Sequence, residues 1–126
     1  MTKRFQVYKC NICGNITEVL HPGKGQLVCC GQPMLLLAEN TVDASREKHL
    51  PVVTRENGQI RVQVGSTLHP MNPDHYIEWI EVITEDQTDR RYLSPGANPE
   101  VLFTDVQGAA VVRSYCNLHG LWKVDL

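Results

Sequence analysis

The amino-acid sequence predicts an all-β protein in which a small cysteine-rich unit precedes an antiparallel β-sandwich. Short apolar runs alternate with turn signals along the chain, and no segment sustains a helical period. Four of the five cysteines lie within the first thirty residues, whereas the fifth cysteine and four of the five histidines follow residue 48. This uneven distribution divides the chain into two predicted domains, residues 1–38 and 39–126.

The first unit is predicted to consist of short strands around two cysteine turns. Residues 5–9, 16–20 and 26–28 read as extended, and glycines and a proline mark the loop at 21–25. A segment below about 40 residues seldom buries enough apolar surface to fold unaided. A metal ion held by the four cysteines would provide the missing stability.

The second unit begins with a polar segment, residues 39–48, and continues as a series of short strands. Residues 59–64 alternate between apolar and polar side chains, which is typical of a half-buried strand. Asn57-Gly58 before them indicates a tight hairpin turn. The predicted strands are 52–55, 59–64, 75–84, 101–106, 109–116 and 121–126, a number and spacing that favour an antiparallel sandwich.

Composition and charge argue against several classes of function. The 126 residues carry a formal net charge of −2, so a nucleic-acid surface is not indicated. No stretch approaches the roughly 20 apolar residues of a membrane span, and the first residues lack the apolar run of a signal peptide. An odd number of cysteines argues against a complete disulfide framework. We therefore expect a cytoplasmic protein whose thiols stay reduced and bind metal.

A first metal site is predicted at Cys10, Cys13, Cys29 and Cys30, because two cysteine pairs follow one another at an interval typical of four-thiolate sites. The second pair is adjacent, and two neighbours that share one peptide link should strain one S–metal–S angle. A structural zinc site, an iron centre Fe(Cys)4 and a disulfide between the adjacent pair are three readings of these cysteines. The spacing alone favours zinc, whereas the adjacent pair and the second site favour iron.

A second metal site is predicted from one cysteine and four histidines. His69 and His75 flank a loop with two prolines, which can hold both imidazoles at one ion at small entropic cost. Cys116 and His119 lie three residues apart on a turn, and His49 supplies a fifth donor. Structural zinc closes at four ligands, whereas iron accepts five nitrogen and sulfur donors and can keep a sixth position for a small molecule.

Two sets of motifs carry a resemblance to known families. The Cys10-x2-Cys13…Cys29-Cys30 unit resembles desulforedoxin, and Glu47-Lys48-His49, His69-x5-His75 and Cys116-x2-His119 resemble the superoxide reductases. In this order the two units resemble the desulfoferrodoxin family over essentially the whole chain. The resemblance implies a desulforedoxin-like first domain, an immunoglobulin-like second domain, a homodimer, and two iron ions per chain, Fe(Cys)4 and Fe(His)4(Cys). In the second site four equatorial histidines and an axial Cys116 would leave one position open.

The resemblance also implies an activity, the one-electron reduction of superoxide to hydrogen peroxide without release of O2, as a defence against oxidative stress. Lys48 is expected to attract the superoxide anion, and Glu47 to bind the iron after oxidation. A rubredoxin-like protein would donate the electron. Three other functions fit the residues: a non-catalytic electron carrier, a zinc-stabilised module that binds a protein partner, and dismutation. Metal content distinguishes the zinc module from the reductase, and the presence or absence of O2 release distinguishes dismutation from reduction.

Overall fold

The computed structural model describes residues 1–126 and divides them into two compact units, Met1–Ala38 and Glu39–Leu126. All paired strands are antiparallel, which confirms the predicted all-β class. The single helix has four residues and is too short to cross a membrane.

The first unit contains five strands of two or three residues in two small sheets. They are β1 (Val7–Lys9), which pairs with both β2 (Ile16–Glu18) and β5 (Leu35–Leu36), and the hairpin of β3 (Val28–Cys29) with β4 (Gln32–Pro33). Its buried apolar side chains are Val7, Cys10 and Val19. Three side chains bury too little surface to stabilise a unit of this length alone.

The second unit contains seven strands in two sheets and one helical turn. The order in one sheet is β10-β7-β6 and in the other β12-β11-β8-β9. The elements are α1 (Arg46–His49), β6 (Pro51–Glu56), β7 (Gln59–Val64), β8 (Ile77–Ile83), β9 (Thr88–Tyr92), β10 (Glu100–Phe103), β11 (Val111–Cys116) and β12 (Gly120–Asp125).

Apolar side chains from both sheets of the second unit pack into a single core. Ile60 and Val62 come from β7, Phe103 from β10, and Ile80 and Val112 from the opposite sheet; all are fully buried. The period-2 pattern of residues 59–64 therefore places its apolar side chains between the sheets, as predicted. Two antiparallel sheets that share one core form a β-sandwich.

The hairpin predicted at Asn57-Gly58 is confirmed. Glu56 pairs with Gln59, so the connection has two residues. The two turn residues, Asn57 and Gly58, have positive φ values of 49° and 76°, as the tight turn between twisted strands requires. The turn sets the register of β6 against β7.

Candidate metal centres

The four thiols of the first unit converge, with their sulfur atoms within 4.8 Å of one another. Sγ of Cys13 lies 3.6 Å from Sγ of Cys29. The centre of a tetrahedron with 3.6 Å edges lies about 2.2 Å from each corner, close to the roughly 2.3 Å of a zinc–thiolate bond. All four thiols are free, so the alternative of a disulfide between the adjacent pair is not realised.

Two turns bring these sulfur atoms together. In the first, the N–H of Gly14 donates to the carbonyl of Cys10 at 3.0 Å, with Gly14 at φ 83°. In the second, Cys30 and Gly31 connect β3 to β4 with φ values of 51° and 73°. The left-handed conformation of Cys30 turns the chain sharply enough for both adjacent thiols to join the cluster. A non-glycine residue in this conformation carries local backbone strain.

The thiols of the first unit perturb one another's pKa values. Backbone N–H groups of Cys13 and Ile12 lower the pKa of Cys10 to about 6. Hydrogen bonds with the sulfurs of Cys13 and Cys10 raise the pKa of Cys29, and the same contacts raise that of Cys30 to about 12. The cluster therefore holds one thiolate readily and further ones only with a compensating cation. This donor set fits a thiolate-binding metal such as iron or zinc.

In the second unit four imidazole rings form a closed cycle in chain order: His49, His69, His75 and His119. Consecutive rings, including the last and the first, have centroids 4.7–5.1 Å apart and planes that cross at 74–87°. His49 and His69 are buried, whereas the other two are half-buried. Edge-to-face rings in a cycle can point one nitrogen each at a common centre.

Backbone carbonyls fix the tautomers of two of these rings. Nδ1 of His49 lies 2.6 Å from the carbonyl oxygen of Ser45, and Nδ1 of His69 lies 2.7 Å from that of Pro70. A carbonyl only accepts, so each Nδ1 carries the proton and each Nε2 keeps its lone pair. These two Nε2 atoms are 3.2 Å apart and point into the cycle.

The remaining two imidazoles, His75 and His119, each place a donor nitrogen within 4.8 Å of that of His49. Nδ1 of His119 lies 3.1 Å from Nε2 of His49, and Nε2 of His75 is buried without a hydrogen-bond partner. The two nitrogen–nitrogen distances at His49 are 3.1 and 3.2 Å. A square with sides of this length has its centre about 2.2 Å from each corner, near the roughly 2.0–2.1 Å of a zinc–imidazole bond. The orphaned nitrogen of His75 and this spacing both fit a bound metal ion.

Burial favours the neutral form of His49, His69 and His75, which is the form that binds metal. It is the main cause of the lowered pKa of His69, to about 4, and of the lowered pKa of His49 and His75. The cationic form of these three rings is thus disfavoured near neutral pH. They can therefore lie side by side without charge repulsion.

Cys116 is the fifth donor at this site and is fully buried. Its Sγ lies 3.8 Å from Nδ1 of His119 and within 4.8 Å of the donor atoms of His49 and His75. Burial raises the pKa of the thiol, and hydrogen bonds from the backbone N–H groups of Leu118 and His119 partly offset this effect. Such bonds stabilise a thiolate ligand and tune a bound metal.

Asn117 joins the two segments that carry His75 and Cys116. Its Oδ1 accepts from the N–H of Tyr76 at 3.0 Å, and its Nδ2 donates to the carbonyl of Asp74 at 3.0 Å. The side chain thus holds both neighbours of His75. Sequence reasoning assigned no role to Asn117, although its place inside the Cys116–His119 motif was an available signal.

Trp122 contacts two neighbouring members of the imidazole cycle. Its ring stacks on His49 with centroids 5.0 Å apart and planes at 25°. Its Nε1–H donates to the carbonyl of His119 at 3.0 Å. Nothing in the local sequence indicated this role, because it depends on β12 lying beside α1.

Glu47 and Lys48 lie on α1 immediately before His49, and both side chains are exposed. The carbonyl of Glu47 accepts from the N–H of Thr67 at 3.1 Å and from the hydroxyl of Ser66 at 3.2 Å. The helix therefore belongs to the wall of the histidine site, whereas the sequence predicted a polar segment without a helix there.

Comparison with known proteins finds two family models along the chain. The model described as desulfoferrodoxin matches residues 41–125, and the desulfoferrodoxin N-terminal domain matches residues 2–37. A desulfoferrodoxin of Syntrophotalea carbinolica is 57% identical over 98% of this chain and 98% of the relative. A desulfoferrodoxin of Nitratidesulfovibrio vulgaris is 47% identical over 99% of each chain.

A solved structure resembles the chain over almost its whole length. The superoxide reductase from Treponema pallidum has a TM-score of 0.77 and 29% identity, with 97% of this chain and 99% of that chain covered. A superoxide reductase of Pyrococcus horikoshii is 31% identical over 64% of this chain and 87% of its own length.

Proposed function

Since the chain belongs to the desulfoferrodoxin family, we propose that it is a superoxide reductase, which adds one electron and two protons to superoxide and releases hydrogen peroxide without O2. The observation that carries this proposal is the closed cycle of four imidazoles beside the buried thiol of Cys116. Five nitrogen and sulfur donors exceed the four of structural zinc and suit a redox-active metal.

Two iron ions per chain fit the two donor sets. The assigned ligands are Cys10, Cys13, Cys29 and Cys30 for Fe(Cys)4, and His49, His69, His75, Cys116 and His119 for Fe(His)4(Cys). The second set would hold a ferrous ion, which would supply the electron that superoxide gains. The chain supplies neutral imidazoles that the carbonyls of Ser45 and Pro70 orient in advance, so little reorganisation is needed.

We assign to Lys48 the attraction of the superoxide anion. Burial is the main cause of the lowered pKa of His49 and His75, and the charge of Lys48 contributes to both shifts, so its field reaches the imidazole cycle. A unit charge 4 Å from an anion contributes about 1 kcal/mol in water and about 4 kcal/mol at an effective dielectric constant near 20. Charge steering of this kind raises association rates and weakens with salt.

We assign to Glu47 a role in the oxidised site. Its carboxylate is exposed on the same helical turn as His49 and would serve as a further ligand that displaces the product. The hydrogen bonds from Ser66 and Thr67 fix its backbone while leaving the side chain free to move. Movement of this carboxylate would need side-chain rotation only.

The remaining assignments rest on family membership. We propose that residues 1–38 form a desulforedoxin-like iron domain and that residues 39–126 form the reductase domain. A rubredoxin-like protein is the proposed electron donor, and a cytoplasmic homodimer is the proposed working form. The first iron has a structural role in this proposal, because the unit around it buries few apolar side chains.

Metal content and reaction stoichiometry test the proposed function. Anaerobically purified protein is expected to contain two iron ions per chain, and the spectrum of the second is expected to change on addition of superoxide. Peroxide should form with consumption of reductant and without O2. Two zinc ions in a colourless protein would exclude reductase chemistry, and release of O2 with peroxide would indicate dismutation instead.

Replacing Lys48 by alanine tests the assigned attraction. The second-order rate constant with superoxide should fall about fivefold or more, the equivalent of 1 kcal/mol, and its dependence on ionic strength should weaken. Lys48→Arg should retain most of the rate because it retains the charge. Lys24→Ala, an exposed lysine of the first unit, removes the same charge as a control. Equal rates in the Lys48→Ala variant and the wild type would exclude the assignment.

A further inference from the structure

Gly65 occupies the turn that follows β7 and leaves no room for a side chain. A Cβ atom built at this position would lie 2.4 Å from the carbonyl oxygen of Glu47 and 2.9 Å from the carbonyl carbon of Lys48. Both are backbone atoms, so rotation of a side chain cannot relieve the contact. Only glycine allows the turn to approach the Glu47–Lys48 peptide this closely.

The two residues after Gly65 bind the same peptide. The hydroxyl of Ser66 and the N–H of Thr67 both donate to the carbonyl of Glu47, at 3.2 and 3.1 Å. Three consecutive residues of the turn therefore contact one peptide unit. The approach permitted by Gly65 brings the two donors within reach of that carbonyl.

The helix that carries Lys48 depends on this support. α1 has four residues, and the side chain of its N-cap residue, Ser45, makes no capping hydrogen bond. At the other end, the N–H of Leu50 donates to the carbonyl of Arg46 at 2.9 Å. An isolated helix this short is unstable in water. Contacts from outside the helix must therefore hold its backbone. The turn after β7 holds the carbonyl of Glu47, and the hydroxyl of Ser114 donates to the carbonyl of His49 at 3.3 Å.

We propose that Gly65 is a positioning residue for superoxide reduction, because it lets residues 65–67 hold the Glu47–Lys48 backbone and thereby places Lys48 beside the imidazole cycle. This inference rests on the role proposed for Lys48. An alanine at position 65 must displace the helix backbone by about 1 Å to reach an ordinary contact of 3.4 Å. Moving a charge from about 4 to about 5 Å from an anion weakens its binding of that anion roughly fourfold at an effective dielectric constant near 20.

A double-mutant cycle tests the proposal on the iron-loaded full chain. The variants are Gly65→Ala, Lys48→Ala and the two combined, with Gly23→Ala as control because a Cβ there meets nothing within 4 Å. Gly65→Ala is expected to lower the second-order rate constant at least about threefold. The combined variant should be hardly slower than Lys48→Ala, because residues that act through one another are not additive.

Hydrogen exchange supplies a readout that is independent of turnover. The N–H of Thr67 donates to Glu47, so mass spectrometry of a peptide covering residues 65–68 should detect faster exchange in Gly65→Ala but not in Gly23→Ala. If Gly65→Ala does not fold or load iron, Ser66→Ala carries the same test, with a smaller loss of rate that again disappears in the Lys48→Ala background.

The possible outcomes distinguish an error in the role of Lys48 from an error in the proposal for Gly65. An unchanged rate in Lys48→Ala overturns the role of Lys48 and the proposal for Gly65 with it. A slowed Lys48→Ala variant together with an unaffected Gly65→Ala variant overturns the proposal for Gly65 alone. Additive losses in the combined variant also overturn it, because Gly65 would then act on something other than the position of Lys48.

Discussion

Replacing Trp122 by phenylalanine would separate the two contacts that this indole makes with the histidine site. A phenyl ring can still stack on His49, as the indole does at 5.0 Å. It cannot donate to the carbonyl of His119, which the indole N–H reaches at 3.0 Å. Trp122 is 1% exposed, so that carbonyl loses its partner where bulk water has little access.

The expected loss of stability follows from the unpaired carbonyl. A buried acceptor without a donor costs about 1–3 kcal/mol, and the smaller ring adds a void of its own. For a unit of this size each kcal/mol lowers Tm by roughly 4–8 °C. We therefore expect Trp122→Phe to lower Tm by at least about 4 °C, and to shift the visible absorption of the iron-loaded protein as the His119 turn loosens.

The assay is anaerobic thermal unfolding of the iron-loaded full chain, followed by circular dichroism, together with its visible spectrum. Trp79→Phe is the matched control because Trp79 is the other tryptophan and stacks on Tyr115, at 5.6 Å, rather than on a histidine of the site. Its visible spectrum should match the wild type. A Trp122→Phe protein with wild-type Tm and spectrum would refute the role of the indole N–H in holding His119.

Three further substitutions probe other parts of the molecule. Glu81→Gln should lower the free energy of unfolding by about 3–5 kcal/mol, since the buried Arg113, 3.0 Å away, loses the negative charge of this carboxylate; urea unfolding with an unchanged midpoint would contradict this. Cys13→Ser should remove the first iron and the stability of residues 1–38 while reductase activity persists; loss of activity would indicate an electron relay instead. Asn117→Ala should weaken iron binding at the second site about 10- to 100-fold, and wild-type retention against a chelator would show that the loop around His75 needs no such support.

Much of the fold was predictable because apolar alternation and turn chemistry act locally. The bounds of β7 and the Asn57-Gly58 hairpin agree with the sequence pattern. α1 was missed because four residues show no periodicity. β9 was missed because its Thr-Asp-Arg-Arg-Tyr sequence is mostly polar, and its strand conformation depends on pairing with β8.

Strand β8 illustrates where alternation fails. A regular strand places Ile77 and Trp79 on one face, but the register against β11 shifts between Tyr115 and Cys116. Ile77 therefore joins the core with Ile80, while Trp79 stacks on Tyr115. A bulge changes which face a side chain occupies, and no residue in the strand signals it.

The candidate ligands were predictable because metal chemistry is encoded in residue type: imidazoles and thiols are few and their spacing is informative. Their supporting residues were not. Trp122, Asn117 and Gly65 act through contacts with residues that lie 3 to 73 positions away in the chain. Neither composition nor period distinguishes such residues from ordinary core, turn or loop positions.

The two metal sites differ in how much of the polypeptide must be ordered before the ligands of each site come together. Cys10 and Cys29 are 19 positions apart, whereas His49 and His119 are separated by 70, and closing a longer loop costs more entropy. During synthesis from the N-terminus, the thiols can capture an ion while most of the sandwich is still being translated. The imidazoles must wait for β11 and β12 to pair. A nascent chain stalled before β12 would thus be half-metallated and inactive towards superoxide.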